Sequence, residues 1–555
     1  MSGHNPLLRL QQLIYIERQD IGTLIAYGLG IGLLSLATPI AVQALVNTIA
    51  FGALLQPLFV LTLILLVLVS CSNTLVALQF YVVEMLQRRL FVRLFGETAS
   101  RLQRALISCH DSQYLPELVN RFFDVVSLQK TAASLLLETL GYLLQTLIGM
   151  ILLAFYHPML LAFDLLLIAS LYLVLFVMGR HGIETAIEQS KAKYLVAAWL
   201  ETIAANPLLS KSHQGEAFID AQSKQIAENY LTACVNHFRI LSRQHIGALL
   251  LHTLANTSLL ALGGWMVIER QLSLGQLIAA ELVVNAMIYG LTRLGKTLDN
   301  FYELVASVDK IGYLLDLPQE SIQGESSQTA QAAYPIKIEN LSVLKGPQVD
   351  SINQLDLTIA SGESWVISEG AERGTLLDIL YGLRPYQAGC IYFDGDDLRD
   401  LNLGSLRNNV SLVRDAEILN VSIADNISIG RDLSFNQIRT ALKQVGLLEL
   451  ISSLPDDLQT PLGSNGEPLN PEQQLRLTLA RAIAGSPKLL MIDKTLDHID
   501  SSYLSGILAV LLAPDTSWTL IIISQQSEVI QRCQHHARIV NGQLQAMIAD
   551  SEVAQ

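Results

Sequence analysis

Apolar positions run almost unbroken through six stretches of the chain, near residues 22–46, 55–80, 134–156, 158–179, 246–268 and 275–295, each long enough to cross a bilayer as a helix. They fall into three pairs with short connections. The connections after the second and fourth stretches are long and polar, yet their apolar residues keep helical spacing, which predicts helices continuing outside the membrane. Beyond Leu317 the pattern changes. PQESIQGESSQTAQAAYP is rich in Ser, Gln, Ala and Gly and reads as a linker. After it, short apolar runs such as SWVISEG, KLLMID and WTLIIIS alternate with helix-like segments, predicting a largely parallel sheet flanked by helices. The division expected is an interfacial helix over 1–20, a six-helix membrane domain over 21–317, a linker over 318–335 and an α/β domain over 336–555.

Composition agrees with a membrane protein: 51% of the 555 residues are hydrophobic, 15% are charged, and the mean hydropathy is +0.39. Basic residues cluster in the long connections, with Arg88, Arg89, Arg93, Arg101, Arg104, Arg121 and Lys130 in the first and Arg180, Lys191, Lys193, Lys211, Lys224, Arg239 and Arg243 in the second. Arg270 is the lone basic residue of the short connections. That bias predicts a multi-pass membrane protein with the N-terminus, both long connections and the C-terminal domain in the cytoplasm. The opening segment MSGHNPLLRLQQLIYIERQ lacks a cleavage site and reads as an amphipathic helix at the membrane surface. Pro39 and Pro158 mark a kink or a helix start.

The net charge of −14 excludes nucleic-acid binding through a basic surface. Cys71, Cys109, Cys234, Cys390 and Cys533 form no CxxC pair, so the sequence predicts neither a disulfide framework nor a zinc site. Charged residues within spans are costly. Glu138, Asp164, His252 and Glu281 therefore either line a pathway or pair for packing; of these, Glu138, Asp164 and Glu281 are the carboxylate candidates for a pathway.

VISEGAERGTLLDILYGL, from Val366 to Leu383, follows a predicted strand and opens a predicted helix, the setting of a phosphate-binding loop. At this point the chain resembles a half-transporter of the ATP-binding cassette (ABC) exporter family, most closely the kind found with type I secretion systems. The resemblance covers nearly the whole chain. GGWMVIERQLSLGQLIAAELVVNAMIYGLTRLGKTLDNFYELVASVDKIGYLLDLPQE is similar to the family's last two membrane helices and their exit. LPELVNRFFDVVSLQK and ETIAANPLLSKS resemble its cytoplasmic coupling regions, while DNISIGR and LARAIAGSPKLLMID stand in cassette order. It implies a six-helix bundle followed by an α/β nucleotide-binding domain.

Laid on the family's motifs, the chain keeps positions and loses residues. The constrained positions of GxxxxGK[ST] read Ile367, Glu372, Arg373 and Gly374; Gly370 and Thr375 survive from the wider pattern. Glu372 is expected to repel phosphates and to contact Arg373. Asp493 keeps the acidic end of a strand, but Lys494 stands where a water-activating glutamate is expected. The signature LSGGQ reads Leu469, Asn470, Pro471, Glu472 and Gln473, with Glu472 expected to point its charge toward a phosphate. The switch histidine falls on Gln525, the magnesium-sensing glutamine on Arg414, and the adenine-stacking aromatic on Lys345. His535 and His536 read as surface residues.

The resemblance thus implies an export subunit that hydrolyses no ATP, binds the family's Mg-ATP weakly if at all, and holds no metal. It would serve as a membrane scaffold or partner subunit, pairing with itself or with another half-transporter and working beside a periplasmic adaptor protein. The first span begins near residue 22, so no leader peptidase domain is expected ahead of it. Two other readings stay open. One is an active exporter with Arg373 as phosphate clamp and Asp493 or Asp500 as base; the other is a channel or receptor whose cassette senses something besides ATP.

Overall fold

A computed structural model describes residues 6–50, 55–112, 115–320, 324, 333–344, 351–370, 373–540 and 542–547. The chain forms two compact units. The first holds residues 1–104 and 114–317; the second holds Ala105–Gln113 together with Pro318–Gln555. A nine-residue piece of the first long connection thus packs with the C-terminal unit rather than with its sequence neighbours.

In the first unit, five helices among the described residues are long and apolar enough to cross a membrane: Arg18–Thr48, Leu58–Gln103, Glu117–Tyr156, Pro158–Ala205 and His213–Ile268. The sixth predicted span, 275–295, is the helix Leu274–Thr292, whose apolar stretch runs only from Leu274 to Met287. The expected six spans therefore become five plus a shorter helix. The prediction ran past Arg293, where one helix ends and Leu294–Leu315 begins. Pro39 lies in the first turn of the helix Ala37–Ala50, and Pro158 opens Pro158–Tyr172, where His157 caps the Met159 amide at 3.1 Å. Both prolines mark helix starts, since a first-turn amide has no helical acceptor to lose.

Apolar side chains line the outside of the spans: Phe155 is 82% exposed and Leu166 66%. Such a surface is stable only against lipid or another apolar surface. Inside, Leu153, Leu160, Leu259, Met266 and Val284 share one core. The long helices then leave the apolar zone and gather a second core of Leu90, Leu94, Val125, Leu128, Leu304 and Ile311. Leu10 and Leu13 of the N-terminal helix Pro6–Ile16 pack against it, leaving Leu8, Tyr15 and Ile16 exposed.

The second unit carries two sheets built from β1 (Ile336–Val343), β2 (Ile352–Ile359), β3 (Ser364–Glu369), β4 (Ala388–Phe393), β5 (Asp396–Asp397), β6 (Val410–Val413), β7 (Leu489–Asp493), β8 (Thr519–Ile523), β9 (His535–Val540) and β10 (Gln543–Met547). The larger sheet has the order β10-β9-β3-β8-β7-β6 and is parallel except for β10. Every residue of β7 and β8 is buried, which is why these strands read as unbroken apolar runs. The smaller sheet, β2-β1-β4-β5, is antiparallel. The carboxyl ends of β3 and β7 open on the same side, where ligands sit in sheets of this kind.

Candidate functional site

At the end of β3 the backbone turns through Gly370, whose φ of +110° is a conformation that side chains resist. The helix Arg373–Leu380 follows. Strand, glycine turn and helix are thus the frame of a phosphate loop. Ala371 and Glu372 lie outside the described residues, so the expected Glu372 contact does too. Arg373 donates instead from Nη1 to the Ser368 carbonyl at 2.5 Å, folding its charge back onto the strand it follows. Thr375 is buried. A Cβ built on Gly374 would stand 3.7 Å from Asp493 Oδ2, an ordinary contact.

Asp493 ends β7 and is buried. Its Oδ2 accepts from Arg414 Nε at 2.6 Å. The same guanidinium pairs through Nη2 with Asp378 Oδ1 at 2.8 Å and reaches the Gly374 carbonyl at 3.4 Å. Arg414 follows β6, which is paired with β7, so the sheet itself carries arginine to aspartate. Burial would lower the Arg414 pKa, but Asp378 and Asp493 more than offset it and hold the pKa above its usual value. The sequence reading missed Asp378. It stands four residues after Gly374 on one helix, a spacing that puts both on one face.

Lys494, the next residue, is exposed with a left-handed φ of +57°. Gln525 is exposed beyond β8, and Lys345 lies outside the described residues. Asp500 caps the helix Ser501–Leu511, accepting from the Ser502 amide at 2.8 Å, a bond that holds its carboxyl below the ordinary pKa. A carboxyl held there is a weak base at neutral pH, contrary to what the active-exporter reading requires. His536 and Ser368 Oγ lie 2.6 Å apart, and His535 stacks on Trp365 at 4.6 Å, so both histidines, partly exposed, also engage neighbouring side chains.

The signature stretch turns inward as well. Asn470 caps the helix Pro471–Ala484, accepting from the Gln473 amide at 2.8 Å, while Gln473 Oε1 accepts from the Asn470 amide at 3.0 Å. This is a capping box with proline at its first position, so Pro471 offers an anion no donor and the amides of Gln473 and Gln474 are satisfied within the chain. Leu469 is buried behind it. Glu472, expected to face a phosphate, accepts instead from Arg476 Nη2 at 2.9 Å. Arg476 in turn lies 3.9 Å over the Tyr503 ring and donates to the Gly446 carbonyl at 3.1 Å.

The three membrane carboxylates stand in different settings. Glu138 lies 3.8 Å from Arg293 and 3.7 Å from Lys296. Glu281 lines a cavity of about 330 Å³ with Asn256, Thr257 and Asn285, and His252 lies 3.4 Å from Asn256. Asp164 is 2% exposed, and neither of its oxygens has a hydrogen-bond partner. An unbonded buried polar group costs about 1–3 kcal/mol. Asp164→Leu is therefore expected to stabilise the chain by about that amount in a detergent melt, with transport unchanged; a melt that rises while transport is lost would give Asp164 a pathway role instead.

A helical unit with membrane-length apolar helices, joined to an α/β unit with a phosphate-loop frame, defines a membrane transporter with a cassette-type domain. The chain belongs to the ABC transporter family: residues 22–291 match the model of the ABC transporter transmembrane region and residues 352–497 that of the ABC transporter domain. It is an exporter-type half-transporter. The leukotoxin translocation ATP-binding protein LktB of Mannheimia glucosida is 24% identical over 534 residues, covering 91% of this chain and 74% of its own. A multidrug efflux ATP-binding/permease protein of Mycobacterium tuberculosis is 26% identical over 306 residues, 54% of this chain and 26% of that one. In fold, the structure of a bacterial Atm1-family ABC exporter with ATP bound matches with a TM-score of 0.82 at 18% identity, over 96% of this chain and 95% of that one.

Proposed function

We propose that this chain is a non-hydrolysing subunit of a type I secretion-like export system. The observation that carries this reading is the Arg414 guanidinium lying between Asp493 and Asp378. The residues present do not fit Mg-ATP. A unit positive charge about 4 Å from another costs on the order of 4 kcal/mol at an effective dielectric near 20, and a divalent ion would meet about twice that. The phosphate loop offers a folded-back arginine, no glutamate follows Asp493, and the signature helix is capped by its own chain.

The family match and the likeness to LktB support a role in export, with the chain in a homodimer or beside another half-transporter and a periplasmic adaptor protein as further partner. The placement that goes with it is the inner membrane, with the N-terminus and C-terminal domain in the cytoplasm, as the basic residues of the long connections suggest. Phosphate release from Mg-ATP by the purified, lipid-reconstituted chain tests the reading. Release is expected to stay at the protein-free background, and sustained turnover abolished by Asp493→Asn would return the chain to the active exporters.

A further inference from the structure

The ion pairs around Arg414 extend beyond the phosphate-loop frame. The second oxygen of Asp378 accepts from Arg384 Nε at 2.7 Å. Arg384 then forks onto Asp111, with Nη1 at 2.6 Å from Oδ2 and Nη2 at 3.0 Å from Oδ1. Asp493, Arg414, Asp378, Arg384 and Asp111 thus alternate in charge in one unbroken run. The side chains of Asp378 and Asp493 are each 7% exposed and that of Arg384 10%, while Arg414 between the two aspartates keeps 34%. The Asp111 end lies in the helix Ser108–Ser112 of the Ala105–Gln113 piece, which is also tied down by the Leu106 amide donating to the Pro318 carbonyl at 2.9 Å.

We propose that this run is a nucleotide-independent latch, which holds the tip of the first long cytoplasmic connection seated on the cassette whether or not ATP is present. It rests on the reading that Arg414 stands in for a bound cation. Each interior member serves two neighbours, so removing one leaves a buried charge uncompensated, and the loss is felt along the run. A bidentate fork at the Asp111 end fixes direction as well as distance. Between the ends the links are fixed side chains, so no ligand has to arrive for the run to close.

Hydrogen exchange of the amides in 106–112, read by mass spectrometry on the full chain in lipid, tests the latch. Arg414→Gln cuts the run at the end away from Asp111 and touches no residue of that segment. It is expected to speed exchange there about tenfold, the size of coupling usual within one ion-pair network. Asp111→Asn, the local cut, is expected to do at least as much, and millimolar Mg-ATP is expected to leave the wild type unchanged. Should Arg414→Gln fail to fold, Arg414→Lys, which keeps the charge and loses the fork, is expected to give a smaller rise in the same direction. Unchanged exchange in the Arg414 variants beside a rise in Asp111→Asn would overturn the latch, leaving independent pairs. Slower exchange in wild type on adding Mg-ATP would overturn its independence of nucleotide. Phosphate release from the same samples reports separately on the non-hydrolysing reading, since turnover in wild type with a tenfold rise in Arg414→Gln would remove that reading and keep the linkage.

Discussion

A chain carrying Glu372→Gly, Gly374→Ser and Arg414→Gln together is expected to bind Mg-ATP when the full-length protein is titrated in lipid, whereas Glu372→Gly alone is expected to stay as silent as wild type. The sequence put the weight on Glu372, because a carboxylate in a phosphate loop repels what the loop should hold. On the proposed reading the weight moves to Arg414, which engages Asp493 at 2.6 Å and would compete with a cation for that carboxylate. Glutamine removes the charge and keeps a polar group of similar reach. Serine at position 374 supplies a hydroxyl, and the 3.7 Å between a Cβ there and Asp493 leaves room for it. Relief of one like-charge contact of about 4 kcal/mol corresponds to roughly a thousandfold in affinity. Wild-type binding at millimolar ATP, or binding restored by Glu372→Gly alone, would show that Arg414 does not close the site. The triple variant is not expected to hydrolyse quickly, because Lys494 still stands where a general base would be worth about 10²–10⁴ in rate.

How much of this could be read from the sequence depended on whether the cause was local. The spans were legible because lipid demands continuous apolar stretches, and the limit of the sixth at Arg293 was missed because the flanking segments are themselves helical. β7 and β8 were legible for the same reason, being buried along their whole length. The antiparallel sheet was not. β1 shifts register between Ile338 and Leu341 and again before Val343, so strict alternation of buried and exposed positions is lost.

At the site, the substituted positions were plain in the sequence, but where their charges went was not. Arg414 and Asp493 are 79 residues apart and meet because β6 and β7 are neighbours, which no local pattern reveals. Glu472 is the contrary case. Arg476 follows it by four residues on a helix, and that spacing alone predicts the pair that the structure contains. Family position suggested a charge directed outward; helix geometry directed it inward.

That inward pair carries the second large effect. Arg476→Ala is expected to destabilise the cassette by about 3–5 kcal/mol, the usual result of removing one partner from a buried ion pair. The Arg476 side chain is 3% exposed, so its loss opens space under the Tyr503 ring, strands the carbonyls of Val445 and Gly446, and leaves Glu472 without its counter-charge. Exchange protection of the β7 amides in the full chain should fall by roughly two to four orders of magnitude if the cassette opens as a unit. The double variant Glu472→Gln, Arg476→Met removes both charges and keeps much of the bulk, so it should regain most of that protection. If the double variant is no better than Arg476→Ala, the packing on Tyr503 carries the stability and not the pairing. If instead it recovers, Glu472 is kept inward by Arg476, and a signature stretch whose charge and helix cap are both satisfied at home has little left to offer a nucleotide on a facing chain.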